Sequence, residues 1–514
     1  MCNCSRPISS TLSDTTMFSD LSELFTSSSG LVWTLLVLVV VYYLWDRHQR
    51  LKSLPPGPTP LPLLGNLLDL ASTDQRITFR KLQEKYGDLV TLHVGSFTMV
   101  VVSGYDTLRE LFVKRGDVTS DRPDLFAFRE VMKWQGIVSR SGPEWKTHRT
   151  FAIGGLRDFG FGKKSLEGKI MEEVEAFLNV LEEKQGQPLH PESCIQTSVA
   201  NIICSIIFGK RFEHGDPVFI ELVDTVNENM SLVGPAGLLN LMPSLRYIPG
   251  DPVSCWKVVN NSDKIIKFLY SIIDVHQQDY EEENIKDFID VYLKEIKNKE
   301  GQGSSFTVSQ LVYTIADMFV AGMETTTTTL LWAILFFLHY PDVQKRCHEE
   351  VTRVVGEGRF PSLSDRPDMP YIEATITEIL RCGDIVPLGL PHSTSADVSF
   401  HGHVIPKGAM LITNVHSVHT DPVLFPEPER FNPSRFIDKD DNVCGTEHVV
   451  PFFFGRRVCM GEALARSELF LFVTSMVQRF QFKPVDPDNI PPIKGHLGVT
   501  YKACPYECIA EKRV

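Results

Sequence analysis

The chain has 514 residues, 43% hydrophobic and 22% charged, which supplies a sizeable apolar core and excludes a disordered or fibrous protein. A formal net charge of −13 argues against nucleic-acid binding, which needs a basic face to meet phosphates. Eleven cysteines lie scattered without CxxC pairs or regular spacing; neither a disulfide framework nor a structural zinc site is signalled, and a reducing compartment is expected for the bulk of the chain.

In chain order, residues 1–29 form a short segment carrying Asp14, Asp20 and Glu23. The uncharged apolar stretch from Gly30 to Trp45 follows, slightly short of the roughly 20 residues that span a bilayer, and Arg47, Arg50 and Lys52 flank its far side. No A-x-A cleavage site succeeds it, and Trp33, Tyr42, Tyr43 and Trp45 suit membrane interfaces. Residues 30–45 therefore read as an uncleaved signal anchor rather than a removed secretory signal peptide. Basic residues on its C-terminal side put residues 1–29 in the lumen and the body of the protein in the cytosol. Residues 46–66 are a basic, proline-rich linker ending in "LPPGPTPLPLLGN", a stiff polyproline-like strut, and the packed body is expected over residues 67–514.

"DLVTLHVGSFTMVVVSG" then reads as a β-hairpin turning at Gly95 and Ser96. Helices dominate beyond it. From Leu166, apolar residues recur at Ile170, Val174, Phe177, Leu178 and Leu181, the spacing of one helical face. Thr307 and Gln310 have capping-box spacing and open a helix that stops at Pro341, a rod roughly 50 Å long at about 1.5 Å per residue. The rival reading of its "LLWAILFFL" end is a second membrane span, which Asp317, Glu324 and a threonine run oppose. Short strand-like pieces return near "DVSFHGHVIPKGAMLI" and at the C-terminal end. The predicted fold class is mainly α with small β-sheets at one side.

The middle of that rod, "AGMETTTTT", is unusual. Ala321 and Gly322 leave space beside them, and glycine with β-branched threonines weakens a helix, which favours a kink or groove against which something flat could lie. Glu324 and Thr325 then offer a carboxyl and a hydroxyl beside that space, the pieces of a proton relay. The plainer alternative is a helix packed closely on a neighbour through small residues.

In "PFFFGRRVCMGEALARSELFLF", Cys459 sits between a glycine-rich, arginine-bearing turn and an amphipathic helix. If the helix begins just after it, free backbone N–H groups and the positive end of the helix dipole favour its thiolate, a metal ligand. Gly455 and Gly461 would let the backbone pass close to a flat group, and Arg457 can meet an anion at its edge. A single axial thiolate opposite a groove suits a haem iron, whereas zinc would want three further ligands that are not grouped here.

These residues carry a resemblance. "FFFGRRVCMG" is similar to the F-x-x-G-x-R-x-C-x-G haem-ligand signature of the cytochromes P-450 at Phe452, Gly455, Arg457, Cys459 and Gly461. "AGMETT", "EILR" and "PERFNPSRF" follow the family's order, and the strut, "WKTHRTF" and "FGFGKKS" resemble its microsomal family 2 branch. The resemblance implies haem b with Cys459 as axial ligand, and Trp145, Arg149, His392 and Arg457 as contacts of the haem propionates. It implies a structural charge triad of Glu378, Arg381 and Arg435, which removal of one partner would break at a cost of about 3–5 kcal/mol.

The implied reaction inserts one oxygen atom from O2 into a substrate C–H bond, with Glu324 and Thr325 as catalytic residues delivering protons. No G-x-G-x-x-G follows a strand, so neither NADPH nor flavin is expected to bind here directly. Electrons are expected from a membrane-bound NADPH-dependent flavoprotein reductase, with cytochrome b5 as a further candidate donor and Lys146, Lys163, Lys164 and Arg456 as a docking patch. The implied location is the endoplasmic reticulum membrane, with membrane lipid as a partner. The pocket is expected to be apolar, lined by Phe126, Ala321, Val386 and Leu388 and by the turn at Gly498. It would take a small lipophilic substrate, with long-chain fatty acids ahead of steroids or xenobiotics on the strength of "VCMGE" and "VPLGLPH". A haem-thiolate isomerase or dehydratase, or a haem-binding sensor, is the alternative; neither needs the acid and hydroxyl pair.

Overall fold

A computed structural model describes residues 32–39, 41–42, 52–62, 64–72, 74–95, 97–159 and 164–513. Residues 1–31, with Asn3 and the expected lumenal segment, lie outside the described residues, as do residues 43–51 and Lys163. Residues 32–39 and 41–42 are helical and expose apolar side chains, among them Trp33 and Leu35.

The longer helices are α1 (Gln75–Tyr86), α2 (Gly142–Asp158), α3 (Lys164–Glu183), α4 (Pro191–Ile207), α5 (Pro217–Leu241), α6 (Cys255–Gln278), α7 (Phe288–Asn298), α8 (Val308–His339), α9 (Pro341–Val354), α10 (Pro370–Gly383) and α11 (Glu462–Arg479). The strands are β1 (Leu89–Val94), β2 (Phe97–Ser103), β3 (His392–Ser393), β4 (Val398–Phe400), β5 (His403–Ile405), β6 (Met410–Asn414), β7 (Phe480–Pro484), β8 (Gly495–Leu497), β9 (Tyr501–Ala503) and β10 (Cys508–Lys512). One sheet runs β1-β2-β6-β3, with β2 parallel to β6, and β4–β5, β7–β10 and β8–β9 are two-stranded. This is the mainly α architecture with small sheets.

The hairpin of β1 and β2 pairs Leu89 with Val102 through Val94 with Phe97. The proline-rich strut docks on its outer strand: Thr91 N donates to Pro56 O at 2.8 Å, and His93 N donates to the Asn66 side chain at 2.8 Å. A Cβ on Gly57 would lie 2.0 Å from Thr91 O, so the strut is packed against the body rather than free. In α3, Ile170, Val174, Phe177, Leu178 and Leu181 are buried, as their spacing requires.

The long helix differs from expectation in two respects. Thr307 does cap it, accepting from Gln310 N, but the Gln310 side chain turns instead to Gly136 and Arg140, so the reciprocal half of a capping box is replaced by a tertiary tie. The threonine run also does not interrupt the helix: α8 is continuous over Val308–His339, and Thr325 and Thr329 return their hydroxyls to the carbonyls of Ala321 and Thr325 at 2.7 and 2.8 Å. Among the described residues α8 is the one helix long and apolar enough to cross a membrane, and it is a core helix, buried from Thr326 to Leu338. Its C-terminal half is tied to the last sheets by Trp332 Nε1 donating to Tyr501 O and Tyr506 OH donating to Leu331 O.

Below α8, the fully buried Glu378 accepts from Arg381 at 2.7 and 2.8 Å, from Arg435 Nε at 3.0 Å and from Asn432 N at 2.8 Å. Arg381 spends its other donors on the carbonyls of His419 and Pro428. Just beyond α10, burial would raise the Asp384 carboxyl, but hydrogen bonds from His416 and His419 outweigh it and hold the group below its ordinary range. Nδ1 of His419 donates to Asp384 while Nε2 accepts from Val450 N at 3.1 Å, which joins the end of α10 to the start of the cysteine loop.

Arg381→Met leaves Glu378 buried beside a single arginine and should cost roughly 3–5 kcal/mol, read as a lower urea midpoint. A midpoint equal to that of the parent would show that the triad is not a strut.

Candidate active site

The cysteine loop is closed by Cys459 N donating to Phe452 O at 3.0 Å, around a single 3-10 turn at Gly455–Arg457. Gly455 has φ +77°, and a Cβ there would sit 2.3 Å from Phe112 O, so the close approach it permits is to protein backbone. A Cβ on Gly461 would meet only the Cys459 sulfur, at 3.9 Å. Helix α11 begins at Glu462. Cys459 is reached by solvent yet deeply enclosed: burial pushes its thiol up, and the Gly461 and Glu462 amides with Arg149 only partly oppose this. The helix start thus favours the thiolate as expected but does not by itself win against desolvation.

Arg457 lies beside this loop with Nε on Ser120 O at 2.8 Å, Nη1 on Ile137 O at 3.2 Å and Nη2 on Arg140 O. Its guanidinium stacks 3.8 Å above the Trp145 ring of α2. Arg149, one turn further along α2, donates to Val458 O. Burial, then Arg122 and Arg149, push the Arg457 pKa down to about 8; burial and Arg149 take Arg122 down to about 10. Among the described residues these arginines show no ion pair, and the buried Trp145 Nε1 has no acceptor. His392 Nδ1 faces Thr119 O at 2.8 Å and so carries the proton, while burial and Arg122 keep the ring neutral. It would donate through its other nitrogen only as an imidazolium, which nearby anions would favour.

On α8 a less buried stripe runs through Ala316, Asp317, Val320, Ala321 and Thr325, with Ala321 exposed. Asp317 accepts from the amides of Ile137 and Val138 at 2.6 and 2.9 Å, while burial raises its pKa to about 7. Thr325 and Glu324 do not meet in one hydrogen bond. Thr325 returns to Ala321 O, whereas Glu324 Oε1 accepts from Thr500 and Thr328 at 3.1 and 3.4 Å. Burial, outweighing Lys502 and Thr500, raises the Glu324 pKa.

The expected lining residues fall into separate clusters. Phe126 packs with Leu239, Val253 and Cys255, Leu388 against the strand core, and Val386 against the main core. The Gly498 turn does adjoin α5, where a Cβ would lie 3.2 Å from Met230 O. Of the expected docking patch, Lys146 and Arg456 are exposed.

The Cytochrome P450 family profile matches residues 55–509. The chain belongs to the cytochrome P450 family. Cytochrome P450 2U1 of Homo sapiens is 37% identical over 498 residues, 91% of each chain. Cytochrome P450 2C3 of Oryctolagus cuniculus is 39% identical over 458 residues, 88% of this chain and 93% of that one. Cytochrome P450 2C11 of Rattus norvegicus is 38% identical over 484 residues, 92% and 96% of the two chains. This P450 is accordingly a monooxygenase of the microsomal family 2 kind, and its relatives associate it with the endoplasmic reticulum membrane.

The family's haem-thiolate cofactor is a porphyrin with two propionates, and the residues present fit it. Guanidiniums without carboxylate partners and an indole N–H without an acceptor make a recess that an anionic edge would satisfy. Sequence reasoning did not single out Arg122, because one arginine before a proline gives no signal of its own. It also missed Lys502, a lone lysine in a short strand, and Glu468 on α11, which looks like an ordinary polar position.

Glu468 is fully enclosed, accepts from Thr326 Oγ1 at 2.8 Å, and is pushed up to about 8 by burial. Because the folded state keeps this proton above the ordinary glutamate pKa of about 4.3, stability should fall as pH rises from there to about 8. Glu468→Gln should flatten that fall in thermal unfolding midpoints measured across the range; an unchanged slope would refute the assignment.

Proposed function

We propose that this P450 holds haem b through the Cys459 thiolate and hydroxylates a small lipophilic substrate, with electrons from a membrane-bound NADPH-dependent flavoprotein reductase. The observation that carries the reading is the Trp145 indole N–H, buried without an acceptor beneath Arg457 beside the Cys459 loop. When bound, haem supplies the redox chemistry that activates O2. Arg457, Arg149 and Trp145 would hold its propionate edge, joined by Arg122 through charge and by His392 once protonated. Phe452, Gly455 and Gly461 shape the loop that presents Cys459.

On α8, burial raises the pKa of the Glu324 carboxyl and so favours its protonated form. Thr325 gives its own proton to Ala321 O, which leaves its oxygen free to accept a second hydrogen bond. The two residues therefore store and orient protons from different positions on the helix. The small Ala321 and its apolar neighbour Val320 favour a lipophilic substrate. Long-chain fatty acids come first for testing, ahead of steroids and xenobiotics.

Lys146 and Arg456, exposed on the cysteine side, are offered as part of the reductase surface, with cytochrome b5 as a further donor. Residues 30–45 are assigned as the anchor, with the body cytosolic and in contact with membrane lipid.

Cys459→Ala should abolish the thiolate-type spectrum of the reduced carbon monoxide complex together with NADPH-dependent product formation. Retention of both would remove the assignment. Thr325→Ala should keep haem and NADPH consumption but release several-fold more hydrogen peroxide per product; unchanged coupling would reduce Thr325 to helix packing.

Orientation has its own reporter. N-x-S glycosylation sequons stand at Asn229 and Asn260; Asn229 is buried and bonded to Ser262, so its sequon is shielded in the folded protein, whereas Asn260 is exposed on α6. In microsomes Asn260 should carry no glycan; a sugar there would put the body in the lumen.

A further inference from the structure

We propose that Lys502 and Glu192 form a proton-uptake port that reloads Glu324 from the protein surface, an inference that rests on the monooxygenase reading. Glu324 is 3% exposed, and its Oε2 is buried without a hydrogen-bond partner. The ammonium of Lys502, on β9, lies 3.8 Å from that oxygen. The same ammonium is bonded to Glu192 Oε1 at 2.7 Å. Glu192 stands in the first turn of α4, with its side chain 33% exposed. It lines an open surface cleft of about 260 Å³ together with His190, Gln196, Asp224 and Asn227. A carboxylate in solvent, an ammonium and a buried carboxyl with one unfilled oxygen therefore stand in line.

The geometry suits proton transfer more than structural pairing. A lysine placed to neutralise Glu324 would sit at hydrogen-bond distance, yet Lys502 gives its short bond to the outer acid. A shift of roughly 1 Å in its flexible stem would bring one N–H onto the unfilled Oε2. With Glu192 first protonated by hydronium from solvent, Lys502 would donate a proton to Glu324 as it takes one from Glu192, which returns to carboxylate. Lys502 ends with its charge unchanged, Glu324 ends neutral, and no oxidant or reductant takes part. Thr500 and Thr328 hold Oε1 throughout, so the entering proton has one place to arrive.

The charged groups facing this carboxyl are Lys502 from β9 and Glu192 from α4, and they act in opposite senses. Lys502 lowers the Glu324 pKa and Glu192 raises it. Lys502 and Glu192 are positioning residues, since they act on the reaction only through Glu324.

The test is infrared titration of the resting holoprotein, with the Glu324 carboxyl band identified by its loss in Glu324→Gln. Lys502→Met should raise the pH at which the band is half lost, Glu192→Gln should lower it, and Lys502→Arg should leave it near the parent value. In turnover, Lys502→Met should raise the ratio of peroxide to product several-fold and Lys502→Arg should restore it. No shift, or shifts of one sign, overturns the port whatever the turnover. Coupling unchanged in Lys502→Met also overturns it. Opposite shifts in a protein that gives no NADPH-dependent product with any substrate would sink the monooxygenase reading, and the delivery role with it.

Discussion

Arg457 carries a guanidinium that the fold encloses without an ion pair among the described residues, and its N–H groups draw in backbone carbonyls from a distant part of the chain. A buried cation that is not hydrogen-bonded is costly, and that cost organises the segment between Ser120 and Arg140. Its carbonyls turn towards Arg457, while the amides of Ile137 and Val138 turn the other way, onto Asp317 of α8. Gln310 adds a second clamp at Gly136. One irregular segment is thereby pinned from both sides, and the spacing between the cysteine loop and the middle of α8 follows from it. Neither a helix nor a strand could do this, because each satisfies its own backbone groups internally.

The buried acids divide by what surrounds them. Glu378 has two arginines and a backbone amide, and Asp384 has two histidines, so both act as braces at the end of α10. Asp317, Glu324 and Glu468 lie on α8 or against it, with amides and hydroxyls as their main partners, and burial raises all three. The difference follows from neighbours: α8 is the most apolar helix of the core, and the cations that act on these carboxyls, Arg122 on Asp317 and Lys502 on Glu324, do not offset burial. Acids paired with cations hold the frame, and acids raised by burial line the helix where protons would be used.

Much of this was legible in the sequence because it rests on local spacing. Apolar periodicity gave α3, β-branched residues around Gly95 gave the β1–β2 hairpin, and the stop at Pro341 gave the end of α8. Glu378 and Arg381 stand three apart on one helix, so their contact could be read directly. Arg122, Lys502 and Glu192 could not be found this way: each gains its meaning from a partner far along the chain, and a single charged residue has no period. Gly455 is needed for a reason its spacing does not show, the close approach of the Phe112 carbonyl. The threonine run does not break the helix: Thr325 and Thr329 bond back to carbonyls of their own helix, and Thr326 to Thr329 are buried in the core.

The continuity of α8 has a chemical consequence. In an unbroken helix adjacent residues point about 100° apart, so Glu324 and Thr325 cannot share a face. Thr325 belongs to the stripe of Ala321, where the side chain is small enough to leave space, and Glu324 belongs to the side that meets β9 and α4. A kinked helix could have brought the two groups together but would have broken the backbone hydrogen bonds that hold the core. The unbroken one keeps those bonds and separates the groups. Any proton that passes between them has to cross that angle, by rotation of the Glu324 side chain or through intervening water. The end of the path that is already built is the outer one, where Lys502 holds Glu192 at 2.7 Å while its own approach to Glu324 stays open at 3.8 Å.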